Sequence, residues 1–220
     1  MEYPFRDRSE AGQVLAQELS TYAGRNDVIV LALPRGGVPV AFEVARALQA
    51  PLGVFVVRKL GVPGHEELAM GAIASGGVLV IEPTVIEDLA IPREVVTDVA
   101  VREEQERLRR EREYRDDRPE PEVRGRTIIL VDDGLATGST MRAAVAALRK
   151  LQPGRIVVAV PVAAAAACAD LAPHVDDFVC ARTPEPFRSV GSWYMEFSQT
   201  TDQEVRDLLA RAEHETAHRP

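Results

Sequence analysis

The chain has 220 residues, 46% of them hydrophobic and 27% charged, enough for one sizeable α/β domain with its own core. A formal net charge of -8 disfavours a general nucleic-acid surface but leaves room for a local basic pocket that takes one small anion. Two cysteines, Cys168 and Cys180, form neither a disulfide framework nor a metal-type spacing, no apolar run is long enough for a membrane span, and the charged start lacks a signal-peptide core, so a cytoplasmic protein is expected.

Short β-branched runs at 27–33, 52–57 and 126–131 are expected to be buried strands, and 155–162 and 176–180 continue the series. Helical spacing fills 38–49, 139–151 and 162–171. This alternation predicts an α/β fold, a parallel sheet with helices on both faces, whose ligands collect at the carboxyl ends of the strands. Segment 61–77, with Pro63, Gly64, Gly71 and Gly76, is expected to be a long loop. From 82 to 124 the rhythm breaks into a polar stretch. Opposite charges recur three and four apart over 94–115, which suits an exposed helix that Pro119 and Pro121 would end. A last helix is expected over 202–212, capped by Thr200 or Thr201 with Glu204 in a capping box. The whole reads as a single domain over 1–220, with a helical insertion at about 82–124 and a small hood at about 182–200.

The most informative run is TIILVDDGLATGST, Thr127 to Thr140. An apolar strand runs into two carboxylates, Asp132 and Asp133, then a turn of small residues, then a helix from about Ser139. Ala136 to Thr140 can turn backbone N–H groups inward, with hydroxyls from Thr137, Ser139 and Thr140, and Gly138 lets an anion approach the backbone. The helix N-terminus behind the loop favours phosphate. Two carboxylates about 6 Å apart repel by roughly 2–3 kcal/mol at an effective dielectric near 20. Vicinal sugar hydroxyls, or Mg²⁺ held through water, would relieve that repulsion.

This string resembles the signature of type I phosphoribosyltransferases, which bind phosphoribosyl pyrophosphate (PRPP). The resemblance implies that Asp132 and Asp133 hold the ribose hydroxyls directly or through Mg²⁺. It implies that Ala136, Thr137, Gly138, Ser139 and Thr140 cradle the 5′-phosphate. Upstream, LPRGGV at 33–38 sits where the family places its pyrophosphate loop. Arg35, Gly36 and Gly37 would bind the leaving group there, with a cis peptide at Pro34–Arg35 or Arg35–Gly36. Arg58 and Lys59, in VRKLG at 57–61, resemble the cationic pair that neutralises pyrophosphate, and 61–77 looks like the mobile loop that closes over PRPP. The catalytic set implied is therefore Asp132, Asp133, Arg58 and Lys59, with Mg²⁺ as cofactor and Asp132 and Asp133 as its ligands.

One position departs from the family. Hypoxanthine–guanine-type members carry an aspartate where this chain has Ala136, so the loop is closer to adenine-type members. Glu66 or Glu67 are candidates for acid/base help, and His65 reads as an exposed loop residue. The resemblance puts the acceptor at the hood, where the scarce aromatics Phe187, Trp193, Tyr194 and Phe197 gather. Phe187, Trp193 and Tyr194 are the stacking candidates; Trp193 and Phe197 also fit a small core of the hood. The implied reaction moves the phosphoribosyl group from PRPP to a nitrogen nucleophile, a nucleobase or similar. The partners expected are PRPP and a small nitrogenous acceptor, with a homodimer as candidate assembly and neither nucleic acid nor membrane. A non-catalytic sensor of PRPP or nucleotide is the alternative on the same fold. No Gly-x-Gly-x-x-Gly follows a strand, which sets a dinucleotide enzyme aside.

Overall fold

A computed structural model describes residues 3–115 and 121–217. In chain order these hold α1 (Arg8–Glu18), β1 (Val28–Ala32), α2 (Gly37–Leu48), β2 (Leu52–Val54), β3 (Val57–Val62), β4 (His65–Ala74), β5 (Val78–Ile81), α3 (Pro83–Asp88) and α4 (Arg93–Arg115). There follow β6 (Thr127–Val131), α5 (Ser139–Lys150), β7 (Arg155–Val162), α6 (Ala165–Leu171), β8 (Asp177–Arg182) and α7 (Asp202–Ala217). Five strands form a parallel sheet in the order β2-β1-β6-β7-β8.

Both faces of this sheet are covered, which is why β1 and β6 are buried at every position and, but for Thr127 at the start of β6, apolar. Val28, Val30, Ala32, Ile129 and Val131 pack under α1, α2 and α7. Ile29, Leu31, Ile128 and Leu130 point the other way, under α5 and α6. The expected strands and helices of the sheet are therefore present, with two shifts. Strand β2 stops at Val54, and the chain crosses at Phe55 and Val56 into β3 of a second sheet. Strand β7 runs through Val162, so the helix expected from that residue starts at Ala165.

The stretch 61–77 is not a long loop. It is mostly β4, the middle strand of an antiparallel sheet β3-β4-β5. Glycines suggest a loop, but Met70, Ala72 and Ala74 recur at the two-residue strand period and are buried. Gly71 is needed because a Cβ there would lie 2.4 Å from the Val80 carbonyl oxygen across the ladder.

The 82–124 stretch holds two helices, and the expectation of a solvated face needs correction. Val99 of α4 joins Leu60, Met70 and Ile73 in a separate core under the small sheet. Arg107 and Glu111 of α4 are buried and paired, with Nη1 2.5 Å from Oε2 in an ion pair rather than an aligned hydrogen bond. Ser75 Oγ donates to Glu111 Oε1 at 2.5 Å and accepts from Val56 N at 2.9 Å, tying α4 to the junction of the two sheets. Tyr114, 1% exposed, donates to Asp202 Oδ1 of α7 at 2.6 Å. Charge periodicity alone hides this buried stripe, because two of its members are themselves charged. Helix α4 is described as far as Arg115; of the two expected terminators, Pro119 lies outside the described residues and Pro121 is outside any helix.

Helix α1 was not anticipated. Asp7 caps it by accepting from Glu10 N at 2.8 Å. At α7, Glu204 N donates to Thr201 Oγ1 at 3.1 Å, so Thr201 supplies the capping oxygen, while Thr200 is buried. Among the described residues no helix is long and apolar enough to cross a membrane. Cys168 and Cys180 pack beside the α5/α6 core, and burial pushes the Cys168 thiol up.

Candidate functional site

The site forms where β1 and β6 end. The two strands are in register, Ala32 opposite Val131, so the turns that follow them lie side by side. Leu33 N donates to the Val131 carbonyl at 2.9 Å and extends the pairing one residue. The chain then turns through a cis Pro34–Arg35 peptide, the first of the two bonds expected, and enters α2 at Gly37. Asp132 and Asp133 leave β6 beside this turn. A Cβ on Gly36 would lie 2.1 Å from Asp133 Oδ2, and one on Gly37 would lie 2.8 Å from the Val131 carbonyl oxygen. Only glycine lets the turn approach the acids so closely.

The acids are half-buried. Asp132 Oδ1 accepts from Asp133 N at 2.8 Å. Burial first, and the neighbouring Asp133 charge second, push the Asp132 carboxyl well above the ordinary carboxylate range. Burial also raises Asp133, with Arg8 working in the opposite direction. Nε of Arg8 donates to Asp133 Oδ2 at 2.9 Å, and the Tyr194 hydroxyl donates to the Asp133 carbonyl at 2.6 Å.

Beyond the acids, 136–140 forms a loop that opens α5. Gly138, at φ 69, takes the left-handed turn just before Ser139, and Leu171 blocks any side chain there at 2.9 Å. A cavity of about 190 Å³ is lined by Asp132, Ala136, Thr137, Gly138, Ser139, Thr140 and Val190. The structure thus gathers Asp132 and the residues of the 136–140 loop around one cavity, with the Arg35–Gly37 turn packed against Asp133.

The expected cationic pair separates. Arg58 and Lys59 are consecutive on β3 and therefore face opposite sides. Arg58 donates through Nε and Nη2 to Glu103 Oε2 of α4, at 2.9 and 2.7 Å. Lys59 lines a cleft of about 530 Å³ with Ser139 and Arg142 of α5. Arg35 reaches Asp202 Oδ1 at 3.7 Å, so the turn is linked to α7 and through Asp202 to Tyr114.

Of the hood aromatics, Tyr194 is buried with Phe5, and Phe187 and Trp193 are half-buried against that pair. Phe197 remains 38% exposed and stacks on Tyr194 at 5.0 Å. His65 and Glu66 are exposed at the hairpin. Backbone hydrogen bonds, from its own amide and from Gly64, hold the Glu66 carboxyl below the ordinary range, which suits a standing anion. The Glu67 side chain lies outside the described residues. Sequence reasoning missed Arg8, which no local pattern marks: it sits in a charged stretch 125 residues from its partner. It also missed Val190, one of many valines.

Among the described residues no group of three or more His, Cys, Asp or Glu side chains is placed to hold a metal. Two carboxylate donors suit Mg²⁺ of a particular kind, an ion that keeps several waters and takes further ligands from a substrate's phosphates.

The family model for the phosphoribosyl transferase domain matches residues 8–182. The chain is 44% identical over 213 residues to "Putative phosphoribosyl transferase Rv0571c" of Mycobacterium tuberculosis. That match covers 97% of this chain and 48% of the relative, so the chain spans about half the length of the curated relatives it matches. The crystal structure of TT1426 from Thermus thermophilus is similar at TM-score 0.85 and 40% identity, over 94% of this chain and 98% of that one. The AQ2163 protein of Aquifex aeolicus shares the fold alone, at TM-score 0.51 and 13% identity, over 84% and 78% of the two chains. The arrangement of strand-end acids, loop and helix thus lies within a matched domain, and this chain belongs to the phosphoribosyl transferase family.

Proposed function

We propose that the protein moves the 5-phosphoribosyl group from Mg²⁺-bound PRPP to a nitrogen nucleophile of the nucleobase class and releases pyrophosphate. The observation that carries this reading is the half-buried acid pair set between two glycine-bearing turns, one at Gly36 and one at Gly138. In this reading the backbone of 136–140 and the α5 N-terminus hold the 5′-phosphate. Asp132 and Asp133 fix the ribose hydroxyls and face the positive charge that grows on the ring. Arg35, Gly36 and Gly37 receive the pyrophosphate. The bond from the anomeric carbon to the pyrophosphate oxygen breaks, the bond to the incoming nitrogen forms, and the nitrogen gives up its proton. Mg²⁺, where bound, neutralises phosphate charge. Phe187 and Trp193 are the hood rings available to an acceptor, with Tyr194 supporting them from the core.

Lys59 is the cation best placed to act on a ligand, because it borders the cleft that reaches Ser139. Charge on the leaving group grows in the transition state, so a contact made there acts on turnover more than on binding. Lys59→Ala is expected to lower kcat by about 10²–10³ with a smaller change in PRPP affinity. The test is pyrophosphate release from PRPP against a panel of purines, pyrimidines and related nitrogen compounds, followed by the variant on the acceptor found. A Lys59→Ala protein that loses PRPP affinity and keeps its turnover contradicts the leaving-group role.

One observation favours the sensor reading. Arg58 and Arg35, two of the cations expected on pyrophosphate, are matched by Glu103 and Asp202. A panel with no working acceptor, joined to PRPP-dependent association with a partner, would establish that alternative.

A further inference from the structure

Arg8 is the first residue of α1, and the Asp7 cap fixes where the helix begins. Its guanidinium meets Asp133, Ser198, Phe197 and Tyr194, all from distant parts of the chain. Nε donates to Asp133 Oδ2 at 2.9 Å, and Nη1 donates to the Ser198 carbonyl at 2.7 Å. The guanidinium carbon lies 4.0 Å from the centroid of the Phe197 ring. The side chains of Arg8 and Asp133 are only 11% and 15% exposed, so solvent does little to weaken the pair.

The segments around Arg8 are joined to one another through their backbones. Phe5 N donates to the Trp193 carbonyl, Met195 N to the Phe5 carbonyl and Glu196 N to the Arg6 carbonyl, each at 2.8 Å. The amino-terminal arm and the hood are thus stitched together by backbone hydrogen bonds. Two side-chain bonds then fasten this unit to the end of β6, Arg8 to the Asp133 carboxylate and Tyr194 to the Asp133 carbonyl. Phe197, still 38% exposed, offers the guanidinium a face on which to rest.

We propose that Arg8 is a latch that competes with the sugar end of PRPP for Asp133, so that ligand binding requires Arg8 to let go and frees the arm and hood from the site. The inference rests on the proposed function, in which Asp133 takes ribose hydroxyls or a hydrated divalent cation. Those groups and the guanidinium need the same carboxylate. Arg8 Nε already occupies Oδ2 of that carboxylate, and the Gly36 backbone packs close to the same oxygen. The internal ion pair holds a closed population, and the apparent affinity for PRPP is reduced by the fraction of molecules in which the latch is open. Phe197 and the Ser198 carbonyl hold the guanidinium in its closed position on Asp133.

The test is calorimetric titration of the full chain with PRPP and Mg²⁺, with Trp193, the single tryptophan, as a fluorescent reporter of the hood. Arg8→Gln is expected to bind PRPP about tenfold more tightly than wild type, as a larger open fraction requires. Its ligand-free Trp193 emission should already lie part-way toward the PRPP-bound wild-type value. Phe197→Ala, which keeps both charges but removes the resting face, should shift affinity the same way by less, and it guards against a misfolded Arg8 variant. If wild type binds PRPP and both variants bind it no more tightly, the latch is wrong while the proposed function stands. If neither wild type nor the variants bind PRPP, the proposed function fails and the latch fails with it.

Discussion

Asp132→Asn is expected to bind PRPP roughly 10²-fold more weakly than wild type, the loss that follows when charged hydrogen bonds to a ligand are removed, and yet to melt higher in the absence of ligand. The two effects share one cause. Asp132 stands half-buried beside a second acid, and its desolvation followed by the Asp133 charge raises its carboxyl well above the ordinary value of 3.8. The folded state therefore binds more protons than the unfolded chain between 3.8 and the raised value. Stability falls as pH rises through that window, because ionising the group costs more in the folded protein. Asparagine keeps the shape, can still accept from Asp133 N through its side-chain oxygen, and removes the charge. The variant should thus gain stability over wild type as pH rises above the ordinary carboxylate range, and the gain should vanish toward pH 3.8. Scanning calorimetry over that pH range, with PRPP titrations on the same samples, checks both signs. A variant that melts lower than wild type at neutral pH, or binds PRPP equally well, contradicts the assignment.

Glu111→Ala is expected to destabilise the protein by about 3–5 kcal/mol, the usual cost of removing one partner from a buried ion pair. That corresponds to a fall in Tm on the order of 10 °C for a chain of this size. Glu111 is paired with Arg107, which is 3% exposed, and accepts from Ser75 Oγ. Removing it leaves the guanidinium to Glu104, a partner that is itself partly in water. Glu111→Gln keeps the volume and an acceptor for Ser75 and should cost less than the alanine variant. Chemical unfolding of the three proteins settles the order. A loss under about 1 kcal/mol for Glu111→Ala would mean that α4 is docked by its apolar residues alone.

The sequence carried the parallel sheet plainly, because strands buried on both faces must be apolar nearly throughout, as Val28–Ala32 and Ile128–Val131 are. It carried the acid pair and the loop before α5 for a similar reason: a strand end, two acids and a glycine turn in one short run leave few structures to choose among. The small sheet was illegible because β4 is rich in alanine, holds Gly71 and is flanked by Gly64 and Gly76, residues that read as helix or loop until a partner strand supplies the packing. The docking of α4 was hidden by charge, since Arg107 and Glu111 are buried only because they have each other. Arg8 was hidden by distance: nothing near it in sequence announces an ion pair with a residue at the far end of the sheet.

The most direct test of the central claim is a crystal structure of the protein with PRPP and Mg²⁺. The account predicts the 5′-phosphate within hydrogen-bonding distance of the backbone amides of 136–140, the ribose hydroxyls on Asp132 and Asp133, and the pyrophosphate at Arg35, Gly36 and Gly37. A 5′-phosphate bound elsewhere, or a ribose that leaves both carboxylates untouched, would contradict it.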